Sequence, residues 1–177
     1  MDEVSLTIPA RVLDAPADIG TGVGEMGADP SSRLARMPAV SRTIDIAAPP
    51  ERVWEVMRDV ERWHEWTASI TSITRLDGRP FGMGSRVLIR QPKLPPNYST
   101  VTEFDPPRSF TWVSRSPGVR AAARHVIEPA AAGSRVTLSI EFGGAPGPLV
   151  AWMVRGLTER YIDMEAEGLQ RRSEGNA

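Results

Sequence analysis

Few side chains in this sequence could do chemistry. There are two histidines, His64 and His125, and no cysteine. Two histidines cannot build a three-histidine metal site. Without cysteine there is no thiol nucleophile, no disulfide scaffold and no zinc–thiolate centre. No Ser-His-Asp order, paired carboxylates, metal-ligand cluster or phosphate loop can be assembled, so neither a metal nor a cofactor is expected. His125, in VRAAARHVIE, is the main candidate. In a strand it shares a face with Ala121, Ala123 and Ile127, and Ile127 reads as a core position, so His125 points inward. There it could serve as general acid or base near neutral pH, contact a ligand, or simply pack. His64, in ERWHEW, has charged neighbours and reads as exposed.

Other side chains could line a site. Trp63 and Trp66 lie three apart on one helical turn, one plugging the core and the other free for an entrance. Phe110, Trp112 and Ser114 share a strand face, where the aromatics serve as core, as a wall for a flat ligand, or both. Arg160 falls in the apolar arc of the last helix. It either snorkels out or pairs with a ligand carboxylate or enolate, the former being favoured. Arg120 and Arg124 fall opposite His125 and read as solvated. Glu103 alternates with Val101, but a bulge near Phe104 would change its face.

Gly22, Gly24 and Gly27 spell GxGxxG. A dinucleotide site needs a buried strand before these glycines and a helix after them. DAPADI and ADPSSR supply neither, so the run reads as part of a low-complexity tail. Residues 1–39 hold four glycines and four prolines and no aromatic residue. They are expected to form a flexible extension, with a short strand at Val4–Ile8 at most, dispensable for folding. Met37 is a candidate alternative start.

The elements that must position the candidates begin at Ser41. RTIDIA alternates as a strand. PPERVWEVMRDV carries an apolar stripe, Val53, Trp54, Val56 and Met57, with Pro50 suited to a first turn. A second short helix covers Val60–Trp66. Six strand signals follow, SITSITRL, SRVLIRQ, NYSTVTEF, RSFTWVS, VRAAARHVIE and RVTLSIEF, separated by turn residues too few for crossovers. The last signal puts Val136, Leu138, Ile140 and Phe142 on one face. A helix from Pro148 to Arg172, about 37 Å long at 1.5 Å per residue, can cross the whole sheet. Its wheel places Leu149, Val150, Met153, Val154, Gly156, Leu157, Tyr161 and Met164 in one arc and Arg155, Glu159 and Ala166 opposite. Ala121–Ala123 and Gly156 would leave room between helix and sheet.

Composition is globular: 41% hydrophobic, 24% charged, with 21 basic against 22 acidic residues. The net charge of -1 offers nothing to a phosphate backbone, so no nucleic acid partner is expected. No apolar run is long enough to span a membrane, the start does not read as a secretory signal, and a cytoplasmic address is expected.

The β, two short helices, six β, long helix order resembles the START-like (SRPBCC) superfamily, in its polyketide cyclase/dehydrase-like branch. IDIAAPPERVWEVMRDVERWHEW, LDGRPFGMGSRVLIRQP, TEFDPPRSFTW, HVIEP and GLTERYIDMEAEGLQRR carry the likeness over about residues 41–173. The resemblance implies an α+β helix-grip fold, a seven-stranded antiparallel sheet curled round the C-terminal helix with an apolar cavity between them. The domain is expected over 40–173, with a tail at 174–177. Ligand contacts are expected from Trp66, Val87, Ile89, Phe110, Trp112 and Ala123, and from His125, Leu138, Ile140, Met153, Leu157 and Arg160. The expected function is binding of a hydrophobic or aromatic small molecule. The alternatives are a polyketide cyclase or dehydratase using His125, or an interaction protein. A cavity holding His125 with one fixed polar partner would favour catalysis, and a purely apolar one carriage.

Overall fold

The computed structural model describes residues 40–175. The expected extension, with Val4–Ile8, the glycine run and Met37, lies outside them. The chain forms β1 (Val40–Ile46), α1 (Pro50–Arg58), a 3-10 helix (Val60–Glu65), β2 (Ser72–Arg75), β3 (Arg86–Arg90), β4 (Asn97–Asp105), β5 (Ser109–Ser116), β6 (Val119–Ala130), β7 (Gly133–Gly143) and α2 (Gly147–Ser173). One antiparallel sheet runs β1-β7-β6-β5-β4-β3-β2, and α2 packs on β1 and β7. This is the helix-grip α+β fold.

Alternation explains the sheet. Each hairpin neighbour pairs with the next, so inward positions line up in rows across the strands. One row joins Val101, Trp112, Ala123 and Ile140, and the next joins Phe110, His125 and Leu138. Val136, Leu138, Val87 and Phe110 are almost completely buried. The register shifts between Val101 and Glu103, so Glu103 turns outward and accepts a hydrogen bond from Thr111 Oγ1 at 2.7 Å.

The short helices plug one end of the sheet. The apolar stripe of α1 buries Val53, Trp54, Val56 and Met57. Trp63 is 1% exposed, and its indole N–H donates to the Met57 carbonyl at 2.9 Å, which satisfies the one polar atom taken into the core. Glu61 fastens the 3-10 helix to β2 through Arg75 at 2.7 Å. That hydrogen bond holds its carboxyl below the usual glutamate range.

The last helix departs from its wheel. Tyr161, Ile162, Ala166, Gly168, Leu169 and Ser173 are its buried positions apart from Gly147 at the start, whereas Leu149, Trp152 and Met153 are exposed. Ala166, placed outward by hydropathy, is fully buried, and Gly156, expected to make room against the sheet, faces open space. Close approach is the reason. A Cβ on Gly168 would lie 2.1 Å from the Trp66 carbonyl oxygen, so small residues rather than large apolar ones let α2 seat here. Past its end, Glu174 accepts a hydrogen bond from the Ala47 amide at 2.9 Å. Among the described residues no helix is long and apolar enough to cross a membrane.

Candidate functional site

A cavity of about 470 Å³ lies between α2 and the middle of the sheet. That volume suits a drug-sized molecule. Its floor comes from Trp112 on β5, Ala121, Ala123 and His125 on β6, and Leu138 and Ile140 on β7. Val150, Val154, Leu157 and Tyr161 of α2 form the roof, and Leu94, Pro95 and Tyr98 close one side. The Tyr161 hydroxyl donates to the Pro92 carbonyl, which fixes the helix to the β3–β4 connection. The alanines create the space. Ala123 pairs with Trp112 on one side and Ile140 on the other, and no larger side chain fills the row between them.

Of the side chains expected to touch a ligand, Ile89, Trp112, Ala123, His125, Leu138, Ile140 and Leu157 border the cavity. Five do not. Val87 and Phe110 are fully buried beneath the surface that the cavity exposes. Phe110 is covered because His125, its direct cross-strand partner, stacks on it with ring centroids 4.3 Å apart and planes 14° apart. Its face is thus taken by an imidazole rather than left for a ligand. Trp66 leans on Trp63 at 5.2 Å, behind the helix seat at Gly168. Met153 is 69% exposed and Arg160 is exposed, both on the solvent side of α2. His64 is exposed and bonds within its own turn to the Glu61 carbonyl.

His125 is 3% exposed and boxed by rings. Besides Phe110, Trp63 meets it edge-on at 5.5 Å and Trp112 at 5.3 Å. Such a box fixes the imidazole plane and leaves it little freedom to turn. Nε2 lies 3.2 Å from Oε1 of Glu165, whose side chain is 15% exposed and borders the cavity. Nδ1 is buried with no hydrogen-bond partner. An imidazole and a carboxylate in contact can hold a proton between them, or pass one to a molecule beside them. This polar pair is set in otherwise mostly apolar walls.

Glu165 was missed in the sequence. It lies four residues after Tyr161 and eight after Leu157, on the cavity side of α2. It is the charged residue inside the apolar stripe, a place the wheel assigned to Arg160. The wheel erred because residues 149–154, LVAWMV, are apolar all round and cannot set a phase.

Comparison with known proteins agrees with this architecture. A mycobacterial START superfamily protein, from Mycobacterium smegmatis, superposes with a TM-score of 0.57 at 22% identity, over 78% of this chain and 98% of its own. A hypothetical protein of Helicobacter pylori gives 0.67 at 13%, over 87% and 99%. The di-domain ARO/CYC of the steffimycin biosynthetic pathway gives 0.62 at 8%, over 77% of this chain and 50% of its own. At these identities the likeness is one of fold. An uncharacterized protein of Mycobacterium tuberculosis is 36% identical over 47 residues, 27% of this chain, and the match spans only 28% of that relative's length. The family model described as polyketide cyclase / dehydrase and lipid transport matches residues 37–174, nearly the whole described chain, and the protein belongs to that family.

Proposed function

We propose that the protein binds a flat, largely apolar small molecule in the cavity between α2 and the sheet, with the His125–Glu165 pair holding its polar end. The observation that carries this reading is the cavity itself: about 470 Å³ of space open on one side, lined mostly by apolar side chains, with Ala121 and Ala123 in its floor. A concave, mostly apolar space of this size with a few convergent polar groups is the usual form of a small-molecule site. Trp112, which borders it, offers a face for ring stacking. Trp66, Phe110, Val87, Met153 and Arg160 are left out of the proposed contacts for the reasons given above. Filling the space tests the reading. Ala123→Phe is expected to remove binding of naphthalene, measured by tryptophan quenching, while keeping a cooperative thermal transition. Undiminished binding in that variant would place the ligand elsewhere. Native mass spectrometry of freshly purified protein is expected to show a co-purified apolar molecule.

The His125–Glu165 contact favours a second reading, a cyclase or dehydratase. The pair would take a proton from a carbon flanked by two carbonyls. The resulting enolate would attack a ketone carbon of the same chain, forming a C–C bond. The alkoxide would then be protonated and water lost. The cavity would supply the folded geometry, and proximity much of the rate. A 1,3,5,7-tetraketone, whose doubly activated carbon reaches the far ketone through a six-membered ring, is expected to lose one water on incubation with the protein and to give a carbocyclic phenol rather than a pyranone, told apart by NMR. His125→Ala is expected to abolish the acceleration. Equal rates with and without protein would leave binding alone.

A further inference from the structure

Resting on the cavity as the ligand site, we propose that the ligand's polar end is a hydroxyl that donates a hydrogen bond, and that Glu165 receives it. On this assignment His125 is a positioning residue that holds the carboxylate in place.

Nδ1 of His125 is buried and has no hydrogen-bond partner. A doubly protonated ring would bury an N–H with no acceptor there. So would the neutral tautomer carrying its proton on Nδ1. Orphaned buried N–H groups are rarer and costlier than bare acceptor lone pairs. Hydrogen-bond accounting therefore assigns the proton to Nε2, where it points at Oε1 of Glu165, 3.2 Å away. His125 is then fully committed. One nitrogen donates to Glu165 and the other is sealed under the aromatic box.

Gln91, Asn97, Ser114 and Thr158 also border the cavity, but among the described lining residues Glu165 is the one carboxylate that a ligand can meet. Among the described residues its one ion-pair contact is His125; no lysine or arginine reaches it. The carboxylate is mostly buried, faces the cavity, and offers only lone pairs. A carbonyl or ether oxygen brought there would set lone pair against lone pair. A phenolic, enolic or alcoholic hydroxyl would instead supply a donor to an under-satisfied buried carboxylate, a charge-assisted contact. The mostly apolar lining favours a largely hydrocarbon-like remainder. The class selected is therefore a hydroxylated flat apolar molecule, with its acceptor-only analogues rejected.

Three probes sharing one ring system test this on the full-length protein: 2-naphthol, 2-methoxynaphthalene and naphthalene, titrated by tryptophan quenching and by calorimetry. Wild type is expected to bind 2-naphthol about tenfold more tightly than 2-methoxynaphthalene, the scale of one hydrogen bond to a charged group. Glu165→Gln, which offers both donor and acceptor, is expected to bring the two within about twofold, since its amide serves either probe. His125→Ala is expected to lose the preference and His125→Gln, whose amide can still donate to Glu165, to restore part of it. A merely structural role of His125 would instead shift all three probes together. Equal wild-type affinities for naphthol and its ether would overturn the donor assignment and leave the cavity reading standing. Binding of none of the three would overturn both. A preference that survives Glu165→Gln would assign the hydroxyl to another group.

Discussion

The two halves of α2 do different jobs with one continuous helix. From Tyr161 onward it is seated. Ile162, Ala166 and Leu169 are buried, Gly168 touches the Trp66 backbone, Gln170 donates to the Asp45 carbonyl, and Arg172 meets Glu65 at 3.1 Å. From Gly147 to Thr158 it is a roof. Val150, Val154 and Leu157 look into empty space, while Leu149, Trp152 and Met153 are 59%, 75% and 69% exposed. Helical stability in proteins comes mainly from packing an apolar face, so the seat anchors what the roof cannot. The contrast separates stability from binding along a single element. His125 and Glu165 sit near the boundary, where a fixed scaffold meets open space.

Two glycines sharpen the contrast most. A side chain at Gly168 must displace the Trp66 carbonyl, 2.1 Å from the ideal Cβ, and backbone cannot swing aside. Gly168→Val is expected to cost about 3 kcal/mol or more by denaturant unfolding, the upper end of overpacking. Gly156 meets nothing within 4 Å. Gly156→Ala is expected to stabilise the protein by up to about 1 kcal/mol through helix propensity alone. Similar losses in both variants would mean that the two halves pack alike.

Two leucines make the same test by removal. Leu169 is 1% exposed and sits in the core cluster, so Leu169→Ala is expected to cost about 2–4 kcal/mol through transfer and cavity terms. Leu157 already borders a void. Leu157→Ala enlarges space that exists and is expected to cost about 1 kcal/mol, while changing the affinity for naphthalene more than Leu169→Ala does. Melting and binding measured on both variants decide; a stability loss at Leu157 matching that at Leu169 would break the division.

The same division marks what the sequence could reveal. Strands were legible because inward and outward residues alternate cleanly: Val136, Leu138 and Ile140 against Arg135, Thr137 and Ser139. The inward direction of His125 followed from Ala121, Ala123 and Ile127 by the same rule. The helix seat was not legible, since Ala166, Gly168 and Ser173 act through smallness, which hydropathy does not register. Phe110 read as a possible ligand wall because alternation gives a face but not what covers it; only the cross-strand register brings His125 onto its ring. Glu165 escaped because an all-round apolar run ahead of it hid the phase of the helix.

The exposed roof residues bear on stability least. Trp152 is the most exposed large apolar side chain of α2. Trp152→Ser is expected to leave unfolding within about 0.5 kcal/mol of wild type, as surface changes do. A larger loss would mean that something covers this face.

The smallest effect expected comes from the ion pairs that flank the seat. Glu65 accepts from Arg62 at 2.7 Å and also meets Arg172 of α2 at 3.1 Å. The hydrogen bond from Arg62 is the main reason its carboxyl is held below the usual glutamate range, with the charges of Arg62 and Arg172 adding to it. A carboxylate whose value is lowered by folding contributes stability that is fully present above its ordinary value. That contribution fades as the pH falls from there through the lowered value, where the folded form also takes up the proton. Glu65→Gln is therefore expected to cost a little at neutral pH, and its difference from wild type should close on acidification through that window. Added salt should shrink the neutral-pH difference, because the pair is solvent-exposed and screened. The roof offers a control: Arg155–Glu159 is an ion pair within one helix, at 2.7 Å, that joins no second element. Glu159→Gln is expected to leave the docking of α2 unchanged, as read by hydrogen exchange of residues 161–173. If Glu65→Gln also leaves that exchange unchanged at neutral pH, Arg172 adds nothing to the seat, which then rests on its packing and on polar contacts such as Gln170 with the Asp45 carbonyl.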